Sequence, residues 1–395
     1  MKVALVHDYL YTYGGAERVL EALHRIWPQA PVFTAWVDWQ WLKREKPAWQ
    51  SWQIIPSWFD RLPFKKQFCS PLRFLAPRIW SSFYHQLLNY DLVISSSAWY
   101  ISKGISLGKI NSQSPNLPMS RPLHICYCHT PPRYLYGYPT ALNFKKYWWG
   151  RLYASLVNPF LRVYDYRSSQ TVDYFVCNSY EVRQRIEKFY RRRVKVIYPP
   201  VSFKKPLLQE PAIDKKLDVE KFVNSKGKGY FLMVNRLVRH KNVDLAIRAC
   251  QKLKLNLKIA GSGPDEKRLK QLSAGSPYIQ FLGYVSDQNL SRLYNGCQAV
   301  LYLAEEEDFG ITPIEAMAFG KPVIALRSGG VKESVIEGKT GLFIHKKDVA
   351  SLINCFKNLK IKVFKKEDCQ ERAEKFSQAR FEKEVKGFVQ EKINA

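Results

Sequence analysis

The chain alternates short aliphatic runs with stretches of helical periodicity, and that alternation admits few folds. Residues 2–9 (KVALVHDY) have the unbroken apolar character of a strand covered on both faces. Gly14-Gly15 interrupts them, and residues 16–26 then place Val19, Leu20, Leu23 and Ile26 on one helical face. Further strand-like runs lie at 32–37, 92–96, 124–128, 174–177 and 194–198, with a helical stretch at 180–189, and Pro199-Pro200 closes the series. Residues 203–228 are polar and Lys-rich and read as a connection or surface excursion. A second series follows, with strands at 230–234, 255–260, 279–282, 299–303, 322–326 and 341–344, helices at 243–253 and 265–272, and a turn at Gly261-Ser262-Gly263-Pro264. Strands and helices in alternation build parallel sheets covered on both faces. The expectation is an α/β chain of two doubly wound domains, 1–200 and 201–375. The charged helical stretch 370–394, about 35 Å long at 1.5 Å per residue, brings residues 376–395 back toward the first domain. Two such sheets facing each other set both carboxyl edges on one cleft, where open α/β sheets bind their ligands.

Composition narrows the function. Of 395 residues, 46% are hydrophobic and 24% charged, which excludes a disordered or fibrous chain. There is no run of 18 uncharged apolar residues, so no membrane span is expected. The opening residues run directly into a strand without a signal-peptide core, and a cytoplasmic protein is expected. The eight cysteines are dispersed without a CxxC and read as buried thiols. Lys and Arg number 62 against 34 Asp and Glu, a formal +28 that attracts polyanions. Residues 1–200 carry +16 of that charge, and all eleven Trp precede residue 150. The densest stretch, 41–80, holds eight Lys or Arg, two acids, five Trp and four Phe. Three readings stand for it: an anionic membrane surface, a packed helical segment with a solvated basic face, or a stacking platform for single-stranded nucleic acid.

Three segments carry chemistry. In 304–320 (AEEEDFGITPIEAMAFG) an acidic loop follows a strand, Gly310 permits a tight turn, Thr312 reads as a helix cap and Pro313 as the first helical residue. The backbone N–H groups of such a helix start suit a diphosphate. Glu307 and Glu315 would border a ligand held there, a carboxylate being a good clamp for vicinal hydroxyls. Alternatively the acids form a solvated loop and Glu315 serves the helix dipole. In 234–244 (VNRLVRHKNVD) Arg236 follows a strand and Lys241 precedes a helix, so both cations could neutralise a leaving diphosphate, or both could be surface charge. No Asp-x-Asp occurs to hold a metal-bound diphosphate. In 123–134 (LHICYCHTPPRY) His129 ends a strand, where it is either structural or in contact with a ligand.

Together the motifs GGAERV (14–19), NRLVRHKNVD, IAGSGP (259–264), FLGYVSD (281–287), the Glu307-x7-Glu315 pair and SGGVKESV (328–335) resemble family 4 of the retaining glycosyltransferases. The resemblance implies the GT-B fold of two Rossmann-like domains facing across a cleft. It also resembles, through residues 1–23 and 126–136, bacterial mannosyltransferases of polysaccharide and glycolipid assembly. By this likeness Glu315 and the helix start at Gly310, Ile311 and Thr312 bind the nucleotide, Glu307 faces the donor sugar, and Arg236 and Lys241 hold the diphosphate. Gly14 and Gly15 approach the sugar phosphate, His129 contacts the sugar through its ring or its carbonyl, and Gly283, Tyr284 and Val285 border the base. Asn235 stands where members often carry Gly.

The expected reaction is metal-independent hexosyl transfer with retention, from a nucleotide-sugar (GDP-mannose first, then UDP-sugars) to a saccharide or a polyprenyl-diphosphate-linked saccharide. The donor phosphate is the expected proton acceptor. A peripheral site on the inner membrane face suits the basic, aromatic first domain, and no nucleic-acid partner is expected. A GT-B epimerase and a non-catalytic membrane- or RNA-binding protein on the same scaffold are the alternatives.

Overall fold

Seven short strands form one parallel sheet in the first half of the chain: β1 (Val3–His7), β2 (Val32–Thr34), β3 (Ile54–Pro56), β4 (Leu92–Ser97), β5 (Leu123–Cys128), β6 (Tyr174–Cys177) and β7 (Val194–Val196), in the order β3-β2-β1-β4-β5-β6-β7. The computed structural model describes residues 1–105, 107–108, 121–140, 147–201, 229–359 and 363–394. By its contacts the chain divides into two units, Met1–Pro200 with Gln378–Ala395, and Val201–Ser377. The stretch 203–228 read as a connection lies outside the described residues.

In the first unit β1 is buried throughout, and apolar layers cover both faces of the sheet. Helix Gly15–Ile26 lies on one face, and Phe381, Val385 and Val389 of helix Gln378–Ile393 join the same core. The aromatic stretch 41–80 is not one surface. It contributes edge strand β3 and short helical turns, burying Trp49, Phe59 and Trp80 while leaving Trp58, Phe64, Phe68 and Phe74 exposed. Pro56 is tolerated because β3 is an edge strand, where one side of the ladder is open.

A 23-residue helix, Trp148–Gln170, is a feature that the periodicity did not indicate. Its second half is anchored from beneath by a buried ion pair between Lys103 and Asp165. Tyr136 and Tyr190 donate to the same carboxylate at 2.7 and 3.2 Å. A buried pair of this kind persists only when its remaining lone pairs are satisfied, as they are here.

The second unit has six parallel strands: β8 (Tyr230–Val234), β9 (Leu257–Ala260), β10 (Ile279–Gly283), β11 (Cys297–Tyr302), β12 (Val323–Leu326) and β13 (Gly341–Ile344), ordered β10-β9-β8-β11-β12-β13. The strand order reverses between β1 and β4 in one sheet and between β8 and β11 in the other. Each reversal is a topological switch point, where crossovers diverge and leave a crevice at the carboxyl ends. The terminal stretch 370–394 is not one helix. It breaks between Lys366–Glu374 and Gln378–Ile393. Phe376 is buried with its ring 5.6 Å from Phe309, and its carbonyl accepts the Val201 N–H at 2.9 Å, which takes the backbone out of the helical path.

Candidate active site

The switch point of the second sheet gathers the charged residues. Beyond β8 the chain turns through Asn235–Asn242, and beyond β11 through Leu303–Gly310. The two loops are cross-tied: Asn242 Nδ2 donates to the Leu303 carbonyl and the Glu305 N–H to the His240 carbonyl, both at 2.9 Å. Lys241 and Glu307 form an ion pair directly across the reversal. Arg236 stands exposed at the end of β8. Asn235 is buried beside it, with its Nδ2 unpartnered among the described residues.

The helix beside this pair starts earlier than expected. It spans Ile311–Ala318 with Gly310 at the cap position, so Thr312 and Pro313 lie inside its first turn. Gly310 adopts φ 88°, ψ 90°, and a Cβ there would come within 2.8 Å of Tyr302 Oη, so Gly is the residue that fits. Thr312 does not cap; its hydroxyl donates to the Val234 carbonyl at 3.3 Å and pins the helix start to the end of β8. Glu315, one turn further on, accepts from Tyr294 Oη at 2.9 Å. The loop after β12 closes the far side. Ser328 Oγ accepts the Glu306 N–H at 3.0 Å, and the Gly330 N–H donates to the Glu307 carbonyl at 2.8 Å. A Cβ at Gly329 would lie 2.4 Å from that Glu307 oxygen, so the glycine pair is what lets the backbones meet. A helix start beside the Lys241–Glu307 pair, with Arg236 exposed at the end of β8, is an arrangement that can hold a diphosphate. Gly283 ends edge strand β10 and Tyr284 and Val285 follow it, two strands from β8, roughly 10 Å at 4.8 Å per strand. The Gly283 carbonyl accepts from the Gly261 N–H at 2.6 Å, and Tyr284 is exposed. Among the described residues no three His, Cys, Asp or Glu stand together as a metal site.

In the first unit the switch point holds a buried polar chain. His129 Nε2 and His7 Nδ1 share Ser96 Oγ, at 2.8 and 3.1 Å. His7 Nε2 lies 3.7 Å from Glu17 Oε1, and Glu17 Oε2 accepts the Gly14 N–H at 2.8 Å. Gly14 therefore caps helix Gly15–Ile26 with its amide already engaged, while Gly15 is the exposed glycine. Burial, then the neighbouring His7, push the His129 imidazole down to about 3, so its ring is neutral near pH 7. Its carbonyl accepts from Asn178 Nδ2 at 3.0 Å. His7, Glu17, Ser96, Asn178 and Tyr294 were not singled out from the sequence. The Gly14-x-x-Glu17 spacing, that of a capping box, was the one available signal.

Comparison with known proteins accords with these crevices. The family model Glycosyltransferase Family 4 matches residues 13–205, and Glycosyl transferases group 1 matches residues 214–376. The chain belongs to the family 4 glycosyltransferases, enzymes of the GT-B fold. It is similar to the alpha-1,3/1,6-mannosyltransferase ALG2 of Mus musculus, with 33% identity over 40% of this chain and 42% of that protein. The Schizosaccharomyces pombe protein of the same name is 26% identical over 86% of this chain and 70% of its own length. The chain thus spans less than half the length of the mouse relative. Its fold is like that of Anabaena Alr3699/HepE, solved with UDP and glucose (TM-score 0.70, 18% identity, 99% of both chains). It is also like that of a sucrose-phosphate synthase from Thermosynechococcus elongatus (TM-score 0.73, 16% identity, all of both chains).

Proposed function

We propose that the chain is a retaining mannosyltransferase that takes its sugar from GDP-mannose and delivers it to a saccharide carried on a polyprenyl diphosphate at the inner face of the membrane. The observation that carries this reading is the Lys241–Glu307 ion pair across the second switch point, beside Arg236 and the start of helix Ile311–Ala318. The donor's diphosphate binds the helix start and Arg236 and competes for Lys241. Glu307, released from Lys241, turns to a sugar hydroxyl. Glu315 holds the ribose, and Gly283–Val285 border the base. Fixed cations then take up the charge that develops on the leaving group.

The acceptor hydroxyl attacks the anomeric carbon on the face that the diphosphate leaves. The bond from carbon to phosphate oxygen breaks, and the hydroxyl proton passes to that phosphate oxygen, giving glycoside and nucleoside diphosphate with configuration retained. His129 meets the sugar as a neutral ring. The names of the mannosyltransferase relatives support mannose. Alr3699/HepE, solved with UDP-glucose, keeps UDP-sugars as the second donor class.

The test is incubation with GDP-mannose or UDP-sugars, with and without a polyprenyl-diphosphate saccharide, followed by proton NMR of the anomeric signal. An α-mannoside formed from GDP-mannose is expected. An inverted product overturns the mechanism, transfer from UDP-sugars alone overturns the donor, and a changed sugar without acceptor marks an epimerase.

A further inference from the structure

We propose that helix Trp148–Gln170 is the membrane-docking element of this enzyme, lying along an anionic bilayer with its apolar stripe in the headgroup layer. The inference rests on the membrane-side reading of the acceptor given above, and it names the surface.

The helix turns an apolar face to solvent. Trp148 (70% exposed), Trp149 (50%), Leu152 (53%), Leu156 (70%), Phe160 (55%) and Val163 (51%) recur at three- and four-residue spacing, which places them on one side. The opposite side is the one that packs: Leu161, Asp165, Ser168 and Ser169 are buried, and Lys103 locks Asp165 from below. Six large exposed apolar side chains in one stripe exceed the scattered apolar exposure of an ordinary surface.

Charge decides the partner. Arg151 and Arg162 are exposed, and their spacing of eleven residues, roughly 16 Å along the axis, puts both along one edge of the stripe; Arg162 also donates through Nη2 to the Leu135 carbonyl at 2.6 Å, and exposed Arg167 ends the stripe itself. They line an open hollow of about 300 Å³ with Ala154, Ser155, Asn158 and Pro159. Asp165, the helix's one acidic residue, is buried and paired, so the helix offers solvent cations alone. Aromatic rings at one end, an aliphatic stripe and arginines along its margin are the pattern of an interfacial helix on anionic lipid. Among the described residues no helix is long and apolar enough to cross a membrane. A second copy packed on this stripe would bring the same helix, without an exposed carboxylate to meet the arginines. The neighbouring stretch adds to the face: Tyr153 Oη donates to the Pro71 carbonyl at 2.5 Å and Arg73 Nη2 to Asn158 Oδ1 at 3.2 Å, which hold the turn bearing exposed Phe74 against the helix.

The test is co-sedimentation of the full chain with phosphatidylglycerol–phosphatidylcholine vesicles and with phosphatidylcholine vesicles. The wild type is compared with Leu152→Glu/Leu156→Glu and with Trp148→Ser/Trp149→Ser, both confined to exposed side chains. Melting midpoint, mass by light scattering, and slow release of nucleoside diphosphate from the donor in water are followed in parallel. The expected result is binding to anionic vesicles that falls at least about tenfold in both variants, with melting and donor turnover unchanged. Wild type and variants binding equally overturns the helix as the docking element and leaves the membrane-side reading standing. A wild type that ignores anionic vesicles overturns both, while donor turnover still reports the glycosyltransferase independently. A dimer that the variants dissolve, without vesicle binding, shows that a second copy is the occupant and overturns the proposal.

Discussion

Lys241 and Glu307 sit on the loops that leave adjacent strands β8 and β11, and the role proposed for them depends on the charge they share. Glu307→Gln keeps the side-chain shape but removes the carboxylate that Lys241 pairs with. The expected outcome is a turnover loss of about 100-fold or more, read as initial donor consumption, with the melting midpoint little changed because the pair is partly exposed. Asp165 behaves in the opposite way. Asp165→Ala strands Lys103 in the interior and leaves Tyr136 and Tyr190 without their acceptor. A loss of about 3–5 kcal/mol is expected from urea unfolding; an unchanged midpoint contradicts the account of that pair. At this scale Arg236, Lys241 and Glu307 were legible in the sequence as loop residues, because each lies a few positions past a recognisable strand. The sequence did not carry His7, Ser96 or Glu17, whose contact with the His129 region arises from the side-by-side placement of β1, β4 and β5. That placement joins residues about 90 and 30 positions apart, as the His7–Ser96 and Ser96–His129 contacts show.

Among the elements, the loop after β12 acts as a wall that holds the acidic loop in shape. Gly329 has φ 71° and backbone pressed against Glu307, whereas Gly338 has φ 75° with open space around it. Gly329→Ala therefore combines strain and collision, and Gly338→Ala strain alone. The first is expected to cost about 1–3 kcal/mol and to lower donor turnover; the second is expected to cost less and leave turnover intact. Equal turnover in the two variants contradicts the wall. Most strands were legible because aliphatic runs bounded by Gly and Pro have few other uses. Edge strand β3 was hidden by its brevity and by Pro56. Helix Trp148–Gln170 was hidden because its apolar face points outward from Trp148 to Val163, against the pattern that marks a buried helix face. Thr312 was misplaced as a cap because the backbone angle that ends the acidic loop belongs to Gly310, a constraint set by Tyr302 from a neighbouring strand.

For the molecule as a whole, two buried histidines, His124 at the amino end of β5 and His129 just past its carboxyl end, tie stability to pH. Burial pushes both His124 and His129 down to about 3. An unfolded histidine titrates near 6.5. Between those values the native chain binds fewer protons than the unfolded one, so stability is present above about pH 6.5 and falls as the pH drops toward 3. The fall is about 1.4 kcal/mol per pH unit for each histidine. Urea midpoints at pH 7, 5.5 and 4.5 check this, and a midpoint that does not fall is the contrary result. The two sheets share one design, a reversal of strand order with polar groups gathered at the carboxyl ends, and the second of them holds the cations assigned to the donor. The most direct measurement is the single-turnover rate of glycosyl transfer in Arg236→Ala and Lys241→Ala, each shown by its melt to be folded. The account predicts a fall of about 100-fold or more in both; transfer at close to the wild-type rate in either would contradict it.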